Sequence, residues 1–489
     1  MLPNTNIPLR QATPADSGLP VAVLGAGPVG LAAAAKLIER GLPFVLLEAG
    51  SRVGSSLEDY GHVRLFSPWR YNIDHSMAAL LKPTGWTAPQ PDGLPLARDV
   101  VRQVLAPFAK LPQIAAALQL HTRVLAVSRE GFDKVKSVGR DRAPFVIRAQ
   151  RGAERFQIRA RAVIDATGTW GTPNPLGADG LPALGEAEAA SRVFYGIPDV
   201  LGAHRHRYEA RRTLVVGAGH SAANALLALA ELAKTVPSTS LAWAVRSPVL
   251  TRVFGGGNAD ALPARGQLGA SLRRLRDAGQ LEFFGGLRIT EVREQDDAVT
   301  VIGLDADGRQ VQVDGVDEII CATGQRPDLS LTSELRVKLD PWLESTEALG
   351  PLIDPNVHSC GTVRPHGHRE LAHPEPGFYT LGVKSYGRAP TFLMATGFEQ
   401  ARSVVAAIAG DVEAADRVEL DLPETGVCGI GVPGIAAAGG DCCGEPAQPA
   451  TQQATQPAAP ATITRGGCGP KSCGPAAQPP VPSAPRCCG

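Results

Sequence analysis

Cysteine is missing from most of this 489-residue sequence, since none occurs before Cys321. Proteins that reduce disulfides usually relay electrons through a Cys-x-x-Cys or Cys-x4-Cys pair. Such a pair cannot form in the long segment that precedes Cys321. Cys321 is followed by Ala-Thr-Gly and is predicted to be a small buried hydrophobe. The lack of cysteine before Cys321 argues against the common redox chemistry that uses a pair of cysteine thiols.

The sequence also lacks an excess of charge and long apolar runs. Acidic and basic residues balance at 48 each, which gives no basic surface for nucleic acid or for an anionic membrane. No run reaches the ~18 to 20 apolar residues of a membrane span. The first residues have neither a basic start nor an apolar segment, so they do not predict a signal peptide. We therefore expect a cytoplasmic protein without a nucleic-acid or membrane partner.

A glycine-rich dinucleotide fingerprint is the first strong positive signal. An apolar strand is predicted over Val21–Leu24 and a small-residue helix over Leu31–Glu39. Between them, one glycine makes the turn, a second lets the backbone approach a pyrophosphate, and a third lets the helix pack on the strand. These glycines are Gly25, Gly27 and Gly30. The next strand ends at Glu48, whose carboxylate can accept hydrogen bonds from a ribose diol.

A second fingerprint lies in TLVVGAGHSAANALLALA, residues 213–230, where Gly217 and Gly219 match and Ala222 replaces the third glycine. Two fingerprints in one chain predict two dinucleotides and favour the pairing of FAD with NAD(P)H. The next apolar strand ends at Arg246 rather than at an acid. A guanidinium there suits a 2′-phosphate, so NADPH is favoured over NADH. The alternative is that Arg246 is a solvated charge at a strand end.

Two Ala-Thr-Gly segments flank the second fingerprint, in VIDATGTWGTPNP (163–175) and EIICATGQRPDLS (318–330). Each follows an apolar strand, and we interpret them as the points where the chain crosses between two domains. Glycine permits the close backbone turn there. The residues assigned to the cofactor sites from these segments are Thr167, Gly168, Thr323 and Gly324.

These signals predict an α/β fold with two Rossmann-like dinucleotide-binding domains, one for FAD and one for NADPH. The FAD-binding domain is predicted over residues 19–175 and 341–412, and the NAD(P)H-binding domain over 176–340. Residues 1–18 and a Cys/Pro/Gly-rich tail over 413–489 are predicted to be disordered.

Four further elements are predicted inside the FAD-binding domain. A long helix is expected over Ala97–Leu118 and a strand over Thr122–Val127. Alternating apolar and polar residues over 131–162 predict a β-meander. The return segment, Gly377–Gly410, is predicted to form a strand, a loop and a closing helix.

Both fingerprints, both Ala-Thr-Gly segments and Arg246 together resemble the flavin-containing monooxygenases. These belong to a wider family of flavoproteins with two dinucleotide-binding domains, which includes thioredoxin reductases. The resemblance covers about residues 20–410. The family motif F-x-G-x-x-x-H-x-x-x-Y is matched at Phe194 and Gly196, whereas Val200 stands in place of its histidine.

The resemblance implies a mechanism that needs few protein acids or bases. NADPH would reduce FAD, the flavin would take up O₂, and a C4a-hydroperoxyflavin would transfer oxygen to a small soft nucleophile or metalloid compound. The segment 62–74 is expected to pass near the flavin ring. Arg64, Trp69 and Asn72 are the catalytic candidates there, with structural roles as the alternative. Val124 is also assigned to the residues that bind the cofactors.

Most of the nine cysteines lie in the tail, where no aromatic residue occurs after Val427. Gly, Pro, Ala and Gln dominate this segment, a composition that cannot bury a core. Soft thiolates on a flexible chain suit thiophilic ions. The candidate metalloid ligands form two vicinal pairs: Cys442, Cys443, Cys487 and Cys488.

Three functions stay open at this point. The favoured one is an NADPH-dependent FAD monooxygenase with O₂ and a small-molecule substrate. Flavoproteins of this type with cysteine-rich C-terminal ends are associated with arsenic resistance, which adds trivalent arsenic as a candidate ligand. The second is an NAD(P)H-dependent thiol/disulfide or metal(loid) reductase that uses the vicinal cysteines. The third is a metal(loid)-binding protein on a relic flavoprotein. Whether the chain forms a homodimer is also open.

The tail hypothesis predicts that deleting all residues after Gly426 weakens arsenite binding by about tenfold or more, because chelation by several thiolates on one chain is lost. Arsenite titrated against the full and truncated chains measures this difference. The truncated chain should keep its NADPH oxidation, which serves as the control for folding. Equal arsenite binding by the two proteins would contradict the hypothesis.

Overall fold

The structure is a computed structural model, and it describes residues 18–420 except for 249, 251–253, 255–261, 296, 358–362 and 390–391. The predicted disorder of the N-terminal residues and of the tail beyond 420, with the four candidate metalloid cysteines, lies outside the described residues. The predicted start of the tail at residue 413 is too early. Residues 413–416 belong to a short helix, and the Asp411 side chain accepts a hydrogen bond from the Ala414 N–H at its start (3.1 Å).

The described chain alternates strands and helices. The strands are β1 Val21–Leu24, β2 Phe44–Leu47, β3 Leu118–Gln119, β4 Thr122–Arg129, β5 Phe145–Arg151, β6 Glu154–Ala160, β7 Ala162–Asp165, β8 Val193–Tyr195, β9 Arg212–Val216, β10 Ser240–Val245, β11 Glu282–Gly285, β12 Arg288–Gln295, β13 Ala298–Leu304, β14 Gln310–Val316, β15 Glu318–Cys321 and β16 Phe378–Thr380. The α-helices are α1 Pro28–Glu39, α2 Ser55–Asp59, α3 His75–Leu81, α4 Ala97–Val100, α5 Ala106–Ala109, α6 Pro112–Ala117, α7 Arg205–Tyr208, α8 His220–Thr235, α9 Pro263–Asp277, α10 Gly350–Ile353, α11 Met394–Ile408 and α12 Val412–Asp416.

Two parallel five-stranded sheets form the frame of the molecule. The first has the order β16-β7-β1-β2-β3, and the second has the order β11-β10-β9-β15-β8. Neighbouring strands pair in parallel in both sheets, and a helix follows the fingerprint strand in each. This arrangement confirms the predicted α/β class with two Rossmann-like sheets.

Small residues let the helices lie close to these sheets. The first helix, α1, buries the run Ala32–Ala35 completely against β1 and the closing helix α11. In the second half, Ala222 and Ala225 on α8 are fully buried beside Trp243 of β10. Alanine has no side-chain atom beyond Cβ, so the helix backbone can approach its neighbours closely.

Each half also carries a three-stranded antiparallel sheet. The first, β4-β5-β6, confirms the predicted meander, although its second strand begins only at Phe145. The second, β12-β13-β14, was not predicted from the sequence. Its middle strand is buried over 299–303, so it lacks the alternation of apolar and polar residues that identifies a half-buried strand.

The helical stretch predicted over Ala97–Leu118 is helical over 97–109 and again over Pro112–Ala117, but it is not one regular α-helix. The chain forms α4, a π-helical turn over Val101–Leu105, α5 and then α6, which begins at Pro112. Pro107 has no N–H to donate to the carbonyl of Gln103. That carbonyl instead accepts a hydrogen bond from the Trp86 indole N–H (2.7 Å).

None of the helices in the described part of the chain has the length and apolar character needed to cross a bilayer.

A buried charge cluster joins the meander to the return segment. Glu375 accepts hydrogen bonds from Arg129 Nε (2.7 Å) and from Arg140 Nη2 (2.8 Å), and all three side chains are almost fully buried. The Arg336 N–H also donates to this carboxylate (3.0 Å). The Arg129 guanidinium lies over the Phe145 ring, 3.6 Å from its centroid. One carboxylate therefore neutralises two buried guanidinium groups.

Replacing Glu375 with glutamine is expected to lower the free energy of unfolding by about 3 to 5 kcal/mol, because two buried guanidinium groups lose their counter-charge. Glu347→Gln is the matched control. It breaks the exposed Lys338–Glu347 pair, whose side chains are 60% and 50% exposed, and should cost less than about 1 kcal/mol. Urea unfolding of both variants measures the difference. Similar costs for the two variants would contradict this account.

Candidate functional site

Two positions of the first fingerprint, one in the turn after β1 and one in the first turn of α1, leave room only for glycine. Gly25 has a φ of +92°, and a Cβ added there would lie 2.6 Å from the Ala166 carbonyl oxygen. A Cβ at Gly30 would lie 1.9 Å from the Gly25 carbonyl oxygen. Real Cβ atoms do not approach so closely, so these two glycines allow the packing of strand, helix and crossing that the fingerprint predicts.

Gly27 differs from these two positions because no protein atom lies within 4 Å of a Cβ built on it. It occupies the N-cap of α1, where the first N–H groups of the helix point outward. The packing of the protein does not require glycine here. Open space at a helix N-terminus, next to a carboxylate that can bind a ribose, fits a pyrophosphate that needs close approach to the backbone.

Glu48 lies beside this turn, as predicted. Its carboxylate accepts hydrogen bonds from the Ala26 N–H and from the Gly50 N–H, both at 2.7 Å. Each oxygen takes one of these bonds, so lone pairs remain for the hydroxyls of a ribose. The sequence gives no sign of another effect of Glu48: through these two hydrogen bonds it joins the fingerprint turn to the segment after β2.

The second fingerprint repeats this construction with one change. Gly217 has a φ of +134°, and a Cβ there would lie 2.2 Å from the Ala322 carbonyl oxygen. Gly219 is the N-cap of α8, and a Cβ on it would meet no protein atom within 4 Å. Ala222 is fully buried, so this half accommodates a methyl group at the third position. The residues present therefore fit a second dinucleotide.

Arg246 follows β10 directly, on the side of β9 away from β15. Its side chain is exposed and donates from Nη1 to the Ala178 carbonyl (2.9 Å). It lies at the carboxyl edge of the second sheet, where a Rossmann-like fold holds the adenosine ribose. The guanidinium has further N–H groups that could bind a 2′-phosphate.

The two Ala-Thr-Gly segments meet each other between the two sheets. One follows β7 of the first sheet and the other follows β15 of the second. Beyond them the chains run side by side: the Asn174 N–H donates to the Gly324 carbonyl (2.9 Å) and the Arg326 N–H donates to the Thr172 carbonyl (3.0 Å). The interpretation of these segments as paired crossings is confirmed.

The two threonines of the crossings have different partners. Thr167 donates from its N–H (3.1 Å) and its hydroxyl (2.7 Å) to Asp165 Oδ1. Thr323 donates its hydroxyl to the Asn174 carbonyl (2.9 Å). Gly168 and Gly324 both have positive φ, at +71° and +92°. The glycines thus provide the turns, and the threonines fix them.

The catalytic candidates in the segment 62–74 lie in different environments. Trp69 is 6% exposed and packs in the main core, and Arg64 is exposed and donates to the Leu94 carbonyl (2.8 Å). Asn72 donates to the carbonyls of Ser67 (2.7 Å) and Pro68 (3.0 Å). The structure does not bring these three side chains together. Val124 lies on β4 and packs against the core formed by β1 and β2.

Aromatic contacts of the 59–66 segment, one within the first half and one with the second half, were also missed. The Tyr60 and Trp170 ring centroids are 4.7 Å apart, and the Trp170 indole N–H donates to Asp59 (2.8 Å). The Phe66 and His220 rings are 5.1 Å apart. His220 begins α8, directly after Gly219. These contacts place the 59–66 segment beside the second fingerprint, and the only sequence signal was the tryptophan after the first Ala-Thr-Gly.

Cys321 is the only cysteine among the described residues, and it is buried. Burial raises the pKa of its thiol to about 11. Its Sγ lies 3.2 Å from the Thr323 hydroxyl, beneath the second crossing. A neutral thiol in this position is not a nucleophile, which agrees with its prediction as a small buried hydrophobe.

Two charged residues at the first crossing were missed altogether. Asp165 ends β7 and forms an ion pair with Lys384, and both side chains are at most 2% exposed. Asp165 was visible as the acid before Ala-Thr-Gly, and Lys384 as a lone lysine in the apolar return segment. The described residues contain no cluster of histidine, cysteine and acidic side chains that could hold a metal ion.

Comparisons with known proteins agree with this geometry. Residues 22–348 match the family described as pyridine nucleotide-disulphide oxidoreductase. No curated protein matches the chain.

Several solved structures share the fold. Bacillithiol disulfide reductase of Bacillus cereus is 18% identical at a TM-score of 0.57, and the match covers 80% of this chain and 99% of that one. DfoA, the FAD-bound cadaverine monooxygenase of Erwinia amylovora, is 13% identical at a TM-score of 0.57, and the match covers 83% of this chain and 98% of that one. Ornithine N-hydroxylase of Kutzneria sp. 744 is 17% identical at a TM-score of 0.53, and the match covers 81% of this chain and 99% of that one. At these identities the similarity shows a common fold.

The geometry of the two N-caps generates a matched pair of predictions. Gly27→Val should weaken FAD binding by about a hundredfold, because the new side chain fills the space beside the α1 N-terminus and no protein atom obstructs its Cβ. Gly219→Val should leave FAD bound and weaken NADPH binding instead. Titration of apo-protein with FAD, and of FAD-loaded protein with NADPH, measures each effect. Loss of both cofactors in either variant would contradict the assignment.

Proposed function

We propose that this chain, which belongs to the pyridine nucleotide-disulphide oxidoreductase family, is an NADPH-dependent FAD monooxygenase. The chain is a flavin-dependent oxidoreductase from the superfamily that holds both flavin monooxygenases and disulfide reductases. Its cofactors are FAD and NADPH. The finer assignment concerns the electron acceptor, which we propose to be O₂.

One observation carries this proposal: the two dinucleotide fingerprints and their crossings are built from residues that offer no reactive thiol. The sequence has no cysteine before Cys321, and burial raises the pKa of Cys321, the one cysteine of the described residues, to about 11. Cys360 lies outside the described residues. A dithiol reductase needs a thiolate close to its flavin. The fingerprints and crossings supply none, which favours a small molecule as the electron acceptor, and O₂ is the acceptor that the monooxygenase resemblance implies.

The roles of the protein's own residues follow from the geometry. The turn at Gly25–Gly27 and the Glu48 carboxylate would hold FAD, and the turn at Gly217–Gly219 with Arg246 would hold NADPH. When bound, FAD accepts hydride from NADPH and supplies the oxygen chemistry. The protein binds both dinucleotides and excludes water from the space between them. In this proposal residues 19–175 and 341–412 form the FAD half, and residues 176–340 the NADPH half.

The proposed substrate is a small molecule with a nucleophilic lone pair, either a soft nucleophile or a metalloid compound. Two of the similar structures carry names that describe oxygenation of amines, cadaverine and ornithine. The oxygen chemistry that bound FAD would supply requires a lone pair on the substrate and few protein acids or bases. The vicinal cysteines of the tail support a thiophilic metalloid such as trivalent arsenic as substrate or ligand.

A second candidate function is an NAD(P)H-dependent thiol/disulfide or metal(loid) reductase. Two observations favour it: the similarity in fold to bacillithiol disulfide reductase, and the vicinal pairs Cys442–Cys443 and Cys487–Cys488, which could relay electrons. Such an enzyme would need no O₂. The acceptor requirement therefore separates the two candidates.

The proposal predicts that NADPH reduces the bound flavin both in air and under nitrogen, but that continuous NADPH oxidation requires O₂. The reason is that the described residues around the dinucleotide sites contain no cysteine pair that could accept electrons from the flavin. Flavin absorbance follows the reduction, and NADPH absorbance follows the turnover. Turnover should fall by about a hundredfold or more under nitrogen.

The control is the chain truncated after Gly426, which lacks the tail cysteines. Under the monooxygenase proposal it oxidises NADPH in air at the rate of the full chain. Sustained anaerobic turnover with 5,5′-dithiobis(2-nitrobenzoate) by the full chain, lost on truncation, would overturn the proposal and support the reductase.

A further inference from the structure

A buried ion pair lies directly behind the first fingerprint. Lys384 Nζ is 2.7 Å from Asp165 Oδ2, and the two side chains are 2% and 1% exposed. Lys384 Nζ also donates to the Thr167 hydroxyl (3.0 Å), and that hydroxyl donates to Asp165 Oδ1 (2.7 Å). The three polar groups form a closed triangle at the end of β7. Such a pair is costly to bury, and its neighbours on both sides show what it holds in place.

On one side the pair is joined to the fingerprint turn. Asp165 precedes Ala166, whose carbonyl oxygen closes the space beside Gly25. The Ala166 N–H donates to the Leu24 carbonyl (2.9 Å). A shift of Asp165 or Thr167 therefore moves the backbone against which the Gly25 turn is packed.

On the other side the pair holds a turn of the return segment. Lys384 lies in the 3-10 turn Gly382–Tyr386, and a Cβ on Gly382 would lie 3.3 Å from Val29 Cγ2. Val29 is in the first turn of α1, two residues after Gly27. The Leu381 N–H also donates to the Asp165 carbonyl (2.8 Å). The turn thus contacts α1 at the end that carries the N-cap.

The rest of this turn is fixed by the closing helix. Gln400 of α11 is fully buried, accepts a hydrogen bond from the Gly382 N–H (2.8 Å) and donates to the Ser385 hydroxyl (2.9 Å). Gln400 also donates to His366 Nε2 (2.9 Å). Lys384 is therefore held in a turn whose ends are already anchored, so its ammonium has little freedom to leave Asp165.

A small cavity lies against the pair. It has a volume of about 10 Å³, the size that holds one water molecule. His373 Nε2 and Thr346 Oγ1 are buried without a partner among the described residues, and both residues line this cavity with Asp165 and Lys384. Burial lowers the pKa of His373 to about 4. His373 is thus neutral, and the positive charge beside Asp165 comes from Lys384.

We propose that Lys384 and Asp165 are positioning residues for the FAD site: their ion pair locks the turn Gly382–Tyr386 and the first crossing against the two sides of the fingerprint. The pair does not touch the dinucleotide. It fixes the Gly25 turn through Ala166, and the first turn of α1 through Gly382 and Val29. The inference rests on the FAD site used in the proposed function, and it is independent of the electron acceptor.

The test measures FAD binding to apo-protein. Lys384→Met should raise the Kd for FAD by about tenfold, which corresponds to about 1.4 kcal/mol of binding free energy. The visible absorption spectrum of the flavin bound to this variant should also shift, because the position of the fingerprint turn changes. Asp165→Asn, which nearly keeps the shape of the side chain, should act in the same direction and serves as the second variant if Lys384→Met does not fold.

Lys36→Met is the matched control. Lys36 lies in the last turn of α1, and its Nζ is 3.4 Å from Asp74 Oδ2, with side chains 12% and 4% exposed. The same substitution thus removes a buried lysine ion pair at the far end of the same helix. Its Kd for FAD should stay within about twofold of the unsubstituted chain, because the two sites share no contacts. Circular dichroism confirms that each protein is folded during the titrations.

A Lys384→Met protein that binds FAD with an unchanged Kd and spectrum would overturn the inference. An equal loss of FAD binding in Lys36→Met would also overturn it, because it would show a general effect of lost stability. Failure of the proposed function looks different: turnover without O₂ would refute the monooxygenase and leave the FAD titrations unaffected.

Discussion

Both halves of this protein depend on the same backbone contact, in which the carbonyl of a crossing segment lies against the first glycine of a fingerprint. In the first half a Cβ on Gly25 would lie 2.6 Å from the Ala166 carbonyl oxygen, and in the second a Cβ on Gly217 would lie 2.2 Å from that of Ala322. Any side chain at these positions would separate the strand from the crossing. The same contact therefore shapes the turn that faces a dinucleotide and the path by which the chain changes domain.

The buried charges stabilise this arrangement from the return segment. Glu375 neutralises two arginines of the first half, and Lys384 pairs with Asp165 at the crossing. All three ion pairs join residues more than 200 positions apart in the chain. A buried charge without its partner is strongly unfavourable, so the part of the first half around these charges depends on residues that follow the second sheet in the chain.

Much of the fold could be predicted from the sequence, because its signals are local. Strand, glycine turn and helix follow one another in each fingerprint, and the steric demands of a tight turn are met by glycine within a few residues. The proposed electron acceptor depends on an equally direct observation, the lack of cysteine before Cys321. The helical stretch predicted over Ala97–Leu118 is divided in the structure, since Pro107 and Pro112 have no N–H with which to continue a regular helix.

The sequence by itself determined the two dinucleotide turns, the α/β class, the paired crossings and the residue types at the N-caps, since each of these depends on neighbours in the chain. Only the tertiary structure decided the partners of the side chains. It buried Trp69 and Asn72, gave Glu48 two backbone donors, and brought Lys384 to Asp165. Pairing and burial arise from contacts between segments distant in sequence, and a one-dimensional pattern carries no information about which distant segments meet.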